Sequence, residues 1–236
     1  TANEWQEYVV CFEGALPVPD EQPPPPPPPT AAGAGPVRQM TSGVLYELWR
    51  DVEGSTVPDL GASDRFPDHP SERHVVGGDE FDINTLVQGD GVAYFESPTD
   101  IADHIGTRMR GYFRAPEDGC YSFVLATDDD GELWVGDVLD GDTSKDPHSV
   151  SAGDDTCDDD LALALVASVP GWAPPRAWDR FPEQVSSPIA LRRGQFVLLD
   201  AFAKEWEGGD SLAVAVTLPS GQFLGPIPVS EYMFLD

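Results

Sequence analysis

Basic residues, asparagine and cysteine are scarce in this chain. Lys plus Arg total 13 against 42 Asp plus Glu, a net charge of −29 over 236 residues. That deficit excludes sequence-independent grip on DNA or RNA, which needs a cationic footprint. It argues equally against docking on anionic lipid. Asn3 and Asn84 are the only asparagines, and neither opens an N-x-S/T sequon, so N-glycan sites give no argument for secretion. No apolar run reaches the ~18 residues of a membrane span. No basic, apolar leader stands at Thr1, so the numbered chain is either already processed or not a secreted one.

Three cysteines are present, Cys11, Cys120 and Cys157. The odd count leaves one thiol over if two pair, and without a CxxC a zinc ribbon or thioredoxin motif is excluded. Cys120 and Cys157 are the best disulfide candidates: one opens a strand-like run and the other lies in an acidic loop that can fold back on it. The alternative is three buried thiols. Chemistry-bearing motifs are missing too. There is no G-x-S-x-G elbow, no H-E-x-x-H, no phosphate-binding G-x-x-x-x-G-K-S/T and no G-x-G-x-x-G. His69, His74, His104 and His148 are scattered in loop-like sequence and read as solvated or structural. Paired carboxylates can hydrolyse glycosides, but among 42 acids some pair always has suitable spacing.

What remains is a core-forming composition. Hydrophobic residues make up 40 % of the chain and 23 residues are aromatic, enough to exclude wholesale disorder. Gly and Pro supply 47 residues, spread as punctuation apart from one dense block. Strong acidity favours solubility and makes divalent cations natural partners.

The order along the chain implies three parts. Residues 1–22 carry a short apolar patch, Trp5, Tyr8, Val9, Val10, Cys11 and Phe12, too short to fold alone and read as an added strand for a sheet of the same chain or another. Residues 23–29 are seven consecutive prolines, expected as polyproline II at about 3.1 Å per residue. With the small residues up to 42 they form a stiff spacer and hinge, or alternatively a recognised or hydroxylated and glycosylated stalk. From 43 to 236 the signal is β. Strand runs are read at 43–50 (GVLYELWR), 108–114, 120–127, 132–135, 187–191, 195–204 and 212–218. In the last, Leu212, Val214, Val216 and Leu218 share one face. Residues 161–169 are apolar and Ala-rich, and flanking Pro170 and Gly171 favour strand over helix. Residues 51–91 read as loop with weak strand candidates. Short strands at regular spacing imply a sandwich or barrel.

The sharpest local feature is Asp128-Asp129-Asp130-Gly131 between two strands. Adjacent carboxylates repel unless a cation lies between them, and a hard cation such as Ca²⁺ takes six to eight oxygens. Composition alone reads the triplet as an acidic turn. A larger acidic stretch follows: residues 128–160 hold 13 acids and one base, Lys145. Asp137, Asp140, Asp142 and Asp146 are spaced somewhat like a calcium loop but lack its D-x-D-x-D-G order.

Residues 111–135 (GYFRAPEDGCYSFVLATDDDGELWV), 170–172 (PGW), 178–191 (WDRFPEQVSSPIAL) and 204–221 (KEWEGGDSLAVAVTLPSG) form a series. This series resembles the PA14 domain family, closest to its fibrocystin-like branch of cell-surface proteins. The resemblance covers residues 43 to about 227. It implies an all-β, antiparallel two-sheet sandwich, jelly-roll-like, serving as a non-catalytic binding or adhesion module of a secreted or cell-surface protein. In the adhesin branch, two consecutive aspartates joined by a cis peptide hold Ca²⁺ that bridges to sugar hydroxyls, and Asp128 and Asp129 match that pair. A second loop completes the site. There Glu205 stands nearest the side-chain ligand, main-chain carbonyls around Glu207 and Gly209 fit the others, and Asp210 is an extra candidate. That loop differs in sequence from the adhesin version, so sugar specificity does not transfer. Trp134, Trp172 and Trp178 are candidates for stacking on sugars, while their family positions imply packing in the core or between loops. The implied partner is a glycan or a neighbouring surface protein. The alternative is a structural subunit of an extracellular filament, wall or coat, with the proline run as stalk and Cys11 as a candidate link. A glycoside hydrolase ranks third.

Overall fold

The computed structural model describes residues 40–77, 92–139 and 163–236. Period-two runs of β-branched and aromatic residues, cut by Gly and Pro, form strands wherever both faces find cover. In chain order these are β1 (Thr41–Ser42), β2 (Val44–Trp49), β3 (Glu72–Val76), β4 (Gly106–Arg114), β5 (Gly119–Asp128), β6 (Asp130–Leu139), β7 (Ala164–Val169), β8 (Ile189–Leu191), β9 (Phe196–Lys204), β10 (Ser211–Thr217), β11 (Phe223–Leu224) and β12 (Met233–Leu235). Two short helices, α1 (Val57–Gly61) and α2 (Val229–Tyr232), interrupt them. None of the described helices is long and apolar enough to cross a membrane.

The strands build two antiparallel sheets. The larger runs β1-β12-β4-β9-β6-β7, with β2 joined to β4 and β3 to β2. The smaller runs β11-β10-β5-β8. The core lies between them, where Phe113 of the larger sheet meets Tyr121 and Phe123 of the smaller edge-on at 5.7 and 5.5 Å. Leu125, Leu133, Val197, Leu199, Leu212, Val214 and Val216 fill the rest, all fully buried. Each such side chain contributes roughly 1.5–3 kcal/mol relative to exposure. A satellite cluster of Trp49, Val52 and Leu60 packs against Phe66 and Phe202 under α1.

The expected two-sheet antiparallel sandwich is what forms. The apolar run at 161–169 is a strand in its described part, Ala164–Val169. The acidic turn is corrected: Asp128 ends β5 and Asp130 opens β6, so Asp129 alone separates two strands that belong to different sheets. The loop reading of 51–91 misses α1 and β3. In β3 the charged side chains hide the pattern because they pair across the sheet surface, Arg73 with Glu47 and Glu72 with Arg50. Elements β11, α2 and β12 are also unanticipated. Residues 1–39, with Cys11 and the proline run, lie outside the described residues, as do Asp140, Asp142, Asp146, His148 and Cys157. The Cys120–Cys157 pairing therefore falls outside them too; Cys120 itself stands half-buried on β5.

Candidate metal centre

Two passages between the sheets meet at one rim of the sandwich. At the first, Asp128 lies opposite Ser211 in the smaller sheet and Asp130 opposite Lys204 in the larger one. The Asp128–Asp129 peptide bond that begins the passage is cis. The second passage, residues 205–210, leaves β9 after Lys204 and enters β10 at Ser211. Register thus brings Asp129 and Glu205 beside each other although 76 positions separate them.

One carboxylate oxygen each from Asp128, Asp129 and Glu205 lie within 4.8 Å of one another. Glu205 is 2 % exposed, and neither of its carboxylate oxygens has a hydrogen-bond partner. Leaving a buried carboxylate unpaired costs free energy on the scale of several kcal/mol, so the arrangement asks for a counter-charge. Asp129 is held in place by the Trp206 N–H, which donates to its Oδ2 at 3.2 Å. The Thr127 hydroxyl donates to the Asp129 carbonyl oxygen at 3.0 Å.

The electrostatics follow from burial and crowding. Burial, then the charges of Asp129, Asp128 and Asp210, push Glu205 up to about 8, with Lys204 opposing. Burial, Asp129, Asp210 and Asp100 push Asp128 up to about 6, with Arg180 opposing. Asp210 is likewise raised, by burial first, against the pull of two main-chain N–H groups.

Those N–H groups belong to a third wall. Ile101 and Ala102 both donate to the Asp210 carboxylate, the latter at 3.1 Å. The Asp100 N–H donates to the Asp210 carbonyl and the His104 N–H to the Trp206 carbonyl, at 3.1 and 2.9 Å. The Gly208 N–H donates to Asp103 Oδ1 at 3.1 Å. The His104 ring stacks on Trp206, centroids 4.1 Å apart. A β-carbon on Gly209 would sit 3.3 Å from Asp100 Oδ1 and 3.4 Å from Asp128 Oδ2, so its backbone lies directly against both carboxylates.

The six sequence-selected residues therefore divide. Asp128, Asp129 and Glu205 converge. Gly209 borders Asp128. Asp210 spends one carboxylate oxygen on the third wall. The Glu207 side chain is 70 % exposed and stands 4.0 Å from His104. Asp137 lies on β6 and accepts from the Tyr112 hydroxyl at 2.8 Å. The third wall itself, Asp100 and Asp103 included, carries no sequence signal beyond two acids in a loop. Of the tryptophans, Trp134 donates to Glu132 and Trp178 meets Phe223 edge-on. Trp172 departs from the packed expectation: it is 47 % exposed, with the Arg180 guanidinium 3.7 Å above its ring. Its neighbour Ala173 donates to the Thr127 carbonyl at 2.8 Å, which seats this loop beside the end of β5.

The donor set is all oxygen, so it fits a hard cation and not zinc, which prefers imidazole and thiolate. The two orphaned oxygens of Glu205 are buried acceptors that such an ion would satisfy. Among the described residues no other group of three acidic, histidine or cysteine side chains converges in this way.

Among curated proteins none is similar to this chain. Among solved structures it is similar to an anti-sigma factor domain-containing protein from Clostridium clariflavum, at 17 % identity and TM-score 0.45 over 88 % of this chain and 52 % of that one. The chain spans about half the length of that protein. It is also similar to the epithelial adhesin 9 A domain from Candida glabrata in complex with Galb1-4GlcNAc, at 10 % identity and TM-score 0.48 over 86 % of this chain and 93 % of that one. A third is a PA14 sugar-binding domain from an RTX adhesin, at 12 % identity and TM-score 0.43 over 82 % and 98 %. The PA14 domain profile matches residues 41–162, just over half of the sequence. The chain belongs to the PA14 domain family.

Proposed function

We propose that this chain is a non-catalytic binding module of the cell exterior that holds a calcium ion on Asp128, Asp129 and Glu205 and uses it to contact a glycan. The observation that carries the reading is the buried, partnerless carboxylate of Glu205 beside two converging aspartates. Calcium suits the set because it accepts six to eight oxygens in flexible geometry, whereas magnesium demands a near-ideal octahedron. When bound, the ion supplies coordination positions that accept ligand hydroxyl oxygens. The chain's own residues position it: Trp206 and Thr127 hold Asp129, and Asp210 ties the third wall to the second passage. The net charge of −29 raises the local concentration of divalent cations around the rim.

The quoted motifs favour the fibrocystin-like branch, and residues 23–42 are read as a polyproline spacer ahead of a module at 43–236. A second reading, a building block of a filament, wall or coat, rests on the proline run and on the odd cysteine, with Cys11 as the candidate link.

Calcium titration followed by thermal melting tests the first reading. The midpoint rises with millimolar calcium in the native chain and not in Asp128→Asn/Asp129→Asn. Glycan-array binding is retained in calcium and lost in chelator. No midpoint shift, together with chelator-insensitive binding, sinks the proposal.

A further inference from the structure

The described arginines divide by what engages them. Arg50 grips Glu72, Arg73 grips Glu47, Arg108 grips Asp200 and Arg176 grips Glu96. Arg65 donates to the Arg50 carbonyl and the Ser71 hydroxyl. Arg110, Arg114, Arg180, Arg192 and Arg193 form no ion pair among the described residues. Of these, Arg114 closes β4 while Arg192 and Arg193 lie between β8 and β9, at one end of the sandwich. That end lies away from the metal centre. β4 starts at Gly106 opposite Lys204 and finishes at Arg114 opposite Phe196. At ~3.4 Å per residue, Arg114 is about 27 Å from the rim.

Here Arg114 and Arg193 line a cleft of about 260 Å³ together with Glu231, Tyr232, Ala115 and Gly194. The fold holds these residues in place. The Gly194 N–H donates to the Ala115 carbonyl at 2.8 Å and the Ala115 N–H to the Gln195 carbonyl at 2.9 Å, which locks the end of β4 to the turn before β9. Gly194 takes φ +86, a conformation that glycine adopts without strain, and a β-carbon there would meet nothing within 4 Å. The Tyr232 ring stacks on Phe113, centroids 6.0 Å apart. The Arg114 guanidinium stands 5.9 Å from the Phe196 ring centroid. The nearby acid Asp118 accepts from the Arg193 main-chain N–H at 2.7 Å, not from its guanidinium.

The cleft thus offers two guanidinium groups and a phenol hydroxyl as donors, and one carboxylate as acceptor. A guanidinium binds a carboxylate through two parallel N–H bonds. The Glu231 charge opposes a second negative charge on a ligand and accepts from hydroxyl groups instead. The volume lies just under the ~300–1,000 Å³ of pockets for drug-sized ligands, so it takes one ring and not an oligosaccharide. We propose that this cleft binds a hydroxylated monocarboxylate, a uronic acid unit, with its carboxylate on Arg114 and Arg193 and its hydroxyls on Glu231 and Tyr232. The site does not rest on the metal centre: none of the rim acids takes part, and calcium is not required.

Amide NMR titration of the full chain in chelator, with the methyl glycoside of glucuronic acid, tests this. Saturable shifts appear at Ala115, Gly194 and Tyr232 and not at 128–130 or 205–210, and adding calcium leaves them unchanged. The methyl glycoside of glucose, the same ring without the charge, produces none. Arg114→Gln and Arg193→Gln, both at exposed positions, keep the native melting midpoint and weaken binding about tenfold or more. Glu231→Gln narrows the preference for the uronic acid over acetate. The absence of a saturable shift at the highest soluble concentration of the uronic acid overturns the proposal. An equal response to the glucose glycoside, sulfate binding as tight as that of the uronic acid, or affinity unchanged in both arginine variants overturns it as well.

Discussion

Lys204 and Glu205 are consecutive and both buried, yet the Lys204 ammonium donates to the main-chain carbonyl of Glu205 and forms no ion pair with its carboxylate. That cation is thereby spent on the backbone, and the carboxylate that most needs a partner faces two more acids. A site with this charge balance holds together best with an added cation.

Replacing that carboxylate separates the two conditions. In chelator above pH 8, where the Glu205 carboxylate is ionised, Glu205→Gln removes a buried, unpaired negative group and raises stability, by an amount on the order of 1–3 kcal/mol. In calcium the same variant loses the shift that the native chain gains. Urea denaturation of both proteins, with and without calcium, reads the crossing directly.

Acidity acts in the same direction as the amide. Glu205 is raised to about 8 and Asp128 to about 6 in the folded chain, above their ordinary values of 4.5 and 3.8. Between those ordinary values and the raised ones, the folded state binds more protons than the unfolded state, so stability falls as pH rises. In chelator the melting midpoint therefore drops from pH 5 towards pH 8. Calcium competes with those protons and binds better at the higher pH, so the two melting curves diverge above pH 6. Glu205→Gln combined with Asp128→Asn flattens the chelator curve. A chelator curve as steep in that double variant as in the native chain contradicts the assignment.

Asp210 is expected to matter without touching the ion. Asp210→Ala leaves the Ile101 and Ala102 N–H groups without their acceptor and loosens the 97–104 wall. The cost is about 1–3 kcal/mol in chelator as much as in calcium. Hydrogen exchange at Ile101 and Ala102 accelerates, and Asp210→Asn restores part of the protection.

Gly131 couples the core to the rim. A β-carbon there would lie 2.3 Å from Thr127 Oγ1, the hydroxyl that donates to the Asp129 carbonyl. Gly131→Ala displaces Thr127, lowers stability by about 1–3 kcal/mol, and weakens the calcium-induced midpoint shift. An alanine variant with native stability and native calcium response contradicts this coupling.

Away from the rim, Arg108 is the test of the sheet's buried charges. Its guanidinium grips Asp200 through two bonds, at 2.7 and 2.5 Å, and stands 3.7 Å from Glu47. Both acids are almost fully buried. Arg108→Ala strands Asp200, while Glu47 keeps Arg73, and costs about 3–5 kcal/mol, with no change in calcium affinity measured by titration calorimetry.

The strands legible in the sequence are β2 and β4 to β10, whose side chains meet apolar neighbours on at least one face. Leu212, Val214 and Val216 are typical, since the alternation read from the chain is the alternation found in the core. β3 escaped because Glu72, Arg73 and His74 look like loop until Arg50 and Glu47 are placed beside them. The aspartate pair and Glu205 were legible through the family motif. Asp210 was legible as an acid but not as an anchor, because its partners are main-chain groups over 100 positions away.

Period-two patterning, the Asp128-Asp129 doublet and the excess of acid belong to the linear chain, since each is a property of near neighbours. The meeting of Asp129 with Glu205, the third wall and the wasted charge of Lys204 belong to the packed sheets. They depend on two inter-sheet passages arriving at the same rim, and strand register over distant segments sets that, not local preference.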